Sequence, residues 1–232
     1  SLRSLDQALE IERRLRHPFN SAFALTAGAQ SLAWLGQADR LLEHCDRVEN
    51  IAEDEGLGPF AELVLVAQWR GMALIAKGDH EEGYRQQKRG NDFWLEMGGR
   101  VCSALFWSWQ VRGLGGQGRI DEALETAERA IEHCRRTRDR WMEPECLRLK
   151  AELLLAREDR GLEEEAAGLL REAITEARNS GGRAWQLRAA ASLLELGRRG
   201  GAAAQWEAEG EAELSACLAS FTEGKGTPDL LR

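Results

Sequence analysis

The chain has 232 residues, 43% of them apolar and 30% charged, with a formal net charge of −8 and a pI near 5.2. That acidic balance argues against a nucleic-acid surface, which needs a concentrated positive field. No apolar run approaches the roughly 18 residues of a membrane span and no signal-peptide pattern opens the sequence, so a cytoplasmic protein is expected.

Residues 1 to 17 read as the second helix of a pair whose first helix is missing. His17-Pro18 stops it, because proline disfavours helix in the residue before it. Five helix pairs follow: 19–35 with 38–54, 60–77 with 80–97, 100–115 with 119–137, 141–157 with 162–179, and 183–198 with 203–221, leaving a tail over 222–232. Gly36 suits the left-handed position after a helix end, and Pro59 the first turn of the next helix, where its missing N–H costs nothing. Asn179-Ser180-Gly181-Gly182 ends the fourth pair. No window alternates with period two, so no β-sheet is predicted. The opening at Ser1, directly in helix-like sequence (Leu2, Leu5, Ala8, Leu9), is what a piece of a longer protein would show.

The pairs repeat one another. Gly36, Gly78 and Gly118 mark the same turn about every 40 residues. Leu41, Leu42, Cys45, Val48 and Ala52 are followed 82 places later by Ala123, Leu124, Ala127, Ala130 and Cys134, and 43 places further by Ala166, Ala167, Leu170, Ala173 and Ala177. All are small or apolar, at a spacing that puts them on one helix face. The intervening copy, Gly83, Tyr84, Gln87, Gly90 and Trp94, is the weakest and is expected to be the most mobile. Antiparallel pairs of this kind bury their apolar faces only against their neighbours. The expected fold is therefore all-α: one right-handed α-solenoid over 1–232, TPR-like with a period of about 40. First helices would line its concave surface and second helices the outside.

Patterns that suggest chemistry fail on context. Gly113-Leu114-Gly115-Gly116-Gln117-Gly118 satisfies G-x-G-x-x-G with Asp139 beyond it, but a dinucleotide site needs strands on both sides, and Gly118 is the repeat's own turn. His44-Cys45 and His133-Cys134 lie 89 apart, off the repeat register of 82, and the cysteines sit on the buried stripe, so core packing is expected and no metal. Cys45, Cys102, Cys134, Cys146 and Cys217 include no C-x-x-C pair and read as reduced thiols. No nucleophile elbow, H-E-x-x-H or P-loop occurs. Glu163-Glu164-Glu165 suits a helix first turn, and Arg135, Arg136, Arg138 and Arg140 a solvated helix end.

Tryptophan is the stronger signal, with eight residues in the chain. Trp34, Trp69, Trp107, Trp109 and Trp185 fall on first helices, beside Arg70, Arg112, Arg148 and Arg188. Indoles with guanidinium groups on a concave face would suit a peptide or acidic ligand through apolar anchoring and charge-assisted hydrogen bonds. Trp107 and Trp109 are two apart and cannot share a helix face, so at least one of them is expected near the surface or at a repeat edge. If Trp69, Arg148 and Arg188 line the groove, alanine there is expected to weaken binding without unfolding the array; equal loss of stability and binding would make them core residues.

Several stretches carry a family resemblance: Trp69-Arg70-Gly71-Met72-Ala73-Leu74, Lys77-Gly78-Asp79, Glu82-Gly83, Gly118-Arg119-Ile120-Asp121-Glu122-Ala123-Leu124, and Glu145-Cys146-Leu147-Arg148-Leu149-Lys150-Ala151-Glu152-Leu153-Leu154. Gln186-Leu187-Arg188-Ala189-Ala190-Ala191-Ser192-Leu193 and the tail from Phe221 through Lys225 to Leu230 follow. Over residues 60–232 the chain resembles the C-terminal tetratricopeptide-like (MalT-like) helical region of bacterial adenylate/guanylate cyclases and LuxR-type STAND ATPase regulators, with Lys225 and Ala151 departing from its pattern. The resemblance implies a sensor or regulatory array with no catalytic residue or cofactor of its own. It would bind a protein segment or a small ligand, with self-association also open, and neither nucleic acid nor membrane. A freestanding scaffold for protein–protein interaction is the alternative. A small-molecule enzyme would need converging polar groups in a closed pocket.

Overall fold

A computed structural model describes residues 2–15, 17–56, 58, 66–138, 140–157, 161–199 and 204–222. Among these it holds eleven α-helices, a 3-10 turn at Arg140–Met142 and no strand. The helices are α1 Leu2–Leu15, α2 Pro18–Trp34, α3 Ala38–Asp54, α4 Ala67–Ala76, α5 His80–Glu96, α6 Ser103–Gly116, α7 Ile120–Thr137, α8 Glu143–Ala156, α9 Glu163–Ser180, α10 Arg183–Arg198 and α11 Ala204–Leu218. Among the described residues no helix is long and apolar enough to cross a membrane. Pro59, residues 60–65 of the expected second pair, Asp139 and the tail from 223 onward lie outside the described residues.

Local chemistry places the helix ends. His17 is extended (φ −104°, ψ 109°), as the residue before proline must be, and Pro18 opens α2. Gly36, Gly78, Gly98 and Gly181 follow α2, α4, α5 and α9 with φ of 67°, 91°, 85° and 71°. The N–H of the next residue in each case reaches back to the carbonyl five places earlier: Gln37 to Leu32, Asp79 to Leu74, Gly99 to Trp94 and Gly182 to Ala177. This closure satisfies carbonyls that the helix leaves open, and its left-handed residue is easiest for glycine. Asp79 then caps α5, its side chain accepting from the Glu82 N–H.

The chain divides into two compact units, residues 1–117 and 118–232. In the first, each helix from α1 to α5 packs on its successor, and the first helices α2, α4 and α6 also pack on one another in sequence. Leu41, Cys45 and Val48 of α3 turn inward onto Leu25, Ala29 and Leu32 of α2, all buried. Burial pushes the Cys45 thiol up to about 12, which leaves it an inert packing group. In the second unit α7 to α11 likewise pack in succession, with α8 also against α10. The alanine stripes of α7 (Ala123, Ala127, Ala130) and α9 (Ala166, Ala173, Ala177) are fully buried. Most of the repeat stripe read from the sequence thus lies in the core of both units, while Leu42, Ala52, Tyr84 and Trp94 are half-buried.

The weak copy is closely packed. A Cβ at Gly71 would lie 2.7 Å from the Gly83 carbonyl oxygen, and one at Gly83 would lie 2.9 Å from the Gly71 oxygen. The two glycines therefore bring α4 and α5 into backbone contact. Gln87, the polar residue in the stripe, is fully buried there, and its side-chain amide donates to the Gln68 carbonyl.

Candidate functional site

The aromatic and arginine residues of the first helices form three clusters, two in the first unit and one in the second. Trp34 at the end of α2 meets Trp109 in the middle of α6, ring centroids 6.0 Å apart, so the two outer first helices of the unit touch through their indoles. The Arg112 guanidinium lies 5.4 Å from the Trp109 ring centre. Trp69 of α4 packs edge-on against Phe106 of α6 at 5.7 Å. It also closes a narrow crevice lined by Leu25, Thr26 and Ala29 of α2 and Leu41, His44 and Cys45 of α3. Packing fills this apolar crevice.

Three of the expected binding tryptophans are therefore core. Trp69, Trp107 and Trp109 are 8%, 6% and 6% exposed. Of the two expected places for Trp107 or Trp109, the surface is corrected, because α6 is buried around its whole circumference from Ser103 to Val111, whereas Trp109 does stand between repeats, against Trp34. Arg70 does not join the indoles. It bonds to Asp46 at 2.9 Å and Glu49 at 2.7 Å on α3. Burial raises the Glu49 carboxyl above its usual range, and the Arg70 charge opposes that rise.

In the second unit the stretches Glu145–Leu154 and Gln186–Leu193 meet. Arg148 donates from Nε and Nη2 to the two carboxylate oxygens of Glu145 at 2.8 and 2.9 Å, and also bonds to Glu152. Ser192 of α10 donates to Glu152 at 3.0 Å, and Arg188 of α10 stands 3.6 Å from Glu145. The Glu145 side chain is fully buried. A carboxylate so enclosed is tolerable only with its charge and lone pairs met, and Arg148 with Arg188 meets them. Arg148, 7% exposed, is thus an internal clamp between α8 and α10. Trp69 and Arg148 are both buried, so neither meets the condition of an open groove on which a binding role was expected. Arg188 keeps part of its surface and lies over the Trp185 ring, 5.2 Å from its centre.

Two signals were missed in the sequence. Trp109-Gln110-Val111-Arg112 and Trp185-Gln186-Leu187-Arg188 are one motif, W-Q-(V/L)-R, whose i, i+3 spacing puts each guanidinium over its indole. Second, Arg135 and Arg140 are not simply solvated: both pair with the buried Glu143, at 2.6 and 3.1 Å, and Arg135 reaches Glu172 on α9. The G-x-G-x-x-G glycines from Gly113 to Gly116 are helical, and Gly118 is a turn residue with φ 74°. Among the described residues no three His, Cys, Asp or Glu side chains converge on a metal geometry.

A solved structure described as nearly identical TPR-like repeats of a kinesin light chain from Podosopora anserina superimposes with a TM-score of 0.57 at 17% identity. The match covers 90% of this chain and 99% of that one. The fold is a TPR-like α-solenoid. No protein-family profile matches the chain. No curated protein matches it.

Proposed function

We propose that this TPR-like chain is a non-catalytic recognition module that binds an acidic protein segment on its first helices, within a bacterial signalling protein of the cyclase or LuxR-type STAND class. The observation that carries the binding reading is the repeated W-Q-(V/L)-R stack, one in each unit. An arginine over an indole keeps its planar donors aligned and weakly hydrated, which suits bidentate capture of a carboxylate. Arg112 and Arg188 are half-buried and retain some solvent-facing surface, over a buried Trp109 and a half-buried Trp185. TPR-like repeats commonly serve protein–protein interaction, and the fold supports that coarser role. The signalling context rests on the sequence resemblance.

The test is quantitative capture of partners from source cells by the wild-type chain and by an Arg112→Ala/Arg188→Ala double variant. At least a tenfold loss of a specific partner, with a melting temperature lowered by no more than a few degrees through the loss of the Arg188–Glu145 contact, is expected. Equal capture by both would sink the arginine site. The size of the native polypeptide tests the context: roughly 100 kDa or more, several domains' worth, fits a multidomain regulator.

A further inference from the structure

Two of the five cysteines face each other across a helix hairpin. Cys134 lies in the last turn of α7 and Cys146 in the first turns of α8, and the two helices pack on each other. The side chains are 0% and 1% exposed, and their thiols are hydrogen-bonded to each other. Neighbouring charges hold the hairpin closed at the same level. Arg135, next to Cys134, bonds to Glu143 of α8 at 2.6 Å, and Arg140 in the connecting turn holds the same carboxylate at 3.1 Å.

This arrangement differs from that of the other buried cysteines. Cys45 packs among apolar side chains of α2 and α3, and Cys217 donates to the Arg183 carbonyl at 3.4 Å. A disulfide is sterically demanding, with sulfurs about 2.0 Å apart and Cα atoms within roughly 7 Å. Cys134 and Cys146 are already in contact, so closure asks for adjustment of two side chains and not for the docking of a distant segment.

We infer that Cys134 and Cys146 are a redox pair, which a small disulfide of the glutathione type converts from packed thiols into a staple between α7 and α8. One cysteine, as thiolate, attacks a sulfur of the small disulfide and expels one thiolate, leaving a mixed disulfide. The second cysteine attacks the protein sulfur of that adduct and expels the other. Two cysteine thiols are thus oxidised, one small disulfide is reduced to two thiols, and the two cysteine protons end on them. The bond to Cys134 and burial push the Cys146 thiol well above its usual range, and Glu145 and Glu143 add to the rise. The pair therefore lacks the stabilised thiolate that draws strongly oxidising dithiols toward their reduced form. Attack waits for the hairpin to open, which makes this a slow staple and not a fast sensor. Once formed, it ties the turn of α8 that carries Glu143 and Glu145 to α7. The inference rests on contacts inside this hairpin and does not depend on the arginine site.

The experiment equilibrates the folded 232-residue chain, and a second sample refolded from urea, in glutathione buffers from reducing to oxidising. Acid quenching, alkylation and peptide mass mapping then read the state of each cysteine. In the oxidising buffers the Cys134 and Cys146 peptides should be joined as the major pair in both samples. The stapled chain should melt at least roughly 3 °C above the reduced chain, because a bridge across a short loop restricts the unfolded state, and a reductant should reverse the shift. Thiols or glutathione adducts that persist at Cys134 and Cys146 in either sample would overturn the inference. So would another cysteine pairing in their place, or a joined chain that melts no higher than the reduced one.

Discussion

His44 and Arg148 show how burial turns polar residues into structural ones. His44 is 6% exposed, its ring N–H donates to the Leu25 backbone, and Nδ1 has no hydrogen-bond partner. Burial is the largest influence and holds its pKa below the usual 6.5; Arg47 and Arg40 push the same way, while the Leu25 bond and Glu43 oppose it. Because the folded pKa is depressed, this residue costs nothing above the unfolded value and destabilises the fold as pH falls through about 6.5. Urea titrations between pH 7.5 and 5.5 should therefore show falling stability in the wild type and a flatter profile in His44→Gln; identical slopes would contradict this. Arg148→Ala strands the enclosed Glu145 carboxylate with only Arg188 near it, and should cost about 3 kcal/mol, at the low end for a broken buried pair. Arg188→Ala removes the more distant partner from a partly exposed site and should cost about 1 kcal/mol or less. Chemical denaturation of the two variants checks the order.

Glycine decides helix–helix spacing at the level of elements. In α4 and α5, Gly71 and Gly83 face each other at backbone contact, whereas a Cβ at Gly168 in α9 would meet nothing within 4 Å. Gly168→Ala should stabilise by about 0.5–1 kcal/mol through lost unfolded-state freedom and helix propensity. The same change at Gly71 gains that term but forces backbone apart, and overpacking at about 1–3 kcal/mol wins. Opposite shifts in melting temperature are the expected result, and equal shifts would show that the crossing can yield. Gly210 and Leu194 repeat the device between α11 and α10, where an added Cβ would lie 2.5 Å from a backbone nitrogen.

At the scale of the molecule, helices in each unit pack on sequence neighbours, and first helices on the next repeat. Such contacts close short loops, so the major refolding phase should be complete within roughly milliseconds. Stopped-flow tryptophan fluorescence would read it directly, because Trp34 meets Trp109, and Trp69 meets Phe106, only across repeats. A dominant phase of seconds would mean that those indole contacts form late and limit the rate. The second helices carry a ladder of pairs between repeats, Arg135 to Glu172, Arg171 to Glu209 and Arg178 to Glu213, at 2.6 to 2.7 Å. Exposed pairs of this kind contribute at most about 1 kcal/mol each, so they fix alignment more than stability.

The repeat stripe, the helix pairs and their turns were legible in the sequence, because periodicity and left-handed glycines are local constraints that each stretch carries by itself. Cys45, Ala127 and Ala173 could be assigned to the core by counting alone. Whether a residue on a first helix is core or surface was not legible, because it depends on what the preceding repeat places against it. Phe23 and Leu105 share one position in the repeat, yet one is open and the other enclosed. For the same reason Trp69, Trp107 and Trp109 became packing residues, while Arg188 stayed at the surface. Only tertiary structure brought Glu145, Arg148 and Arg188 together, since a buried charge is tolerated where partners from another helix converge on it.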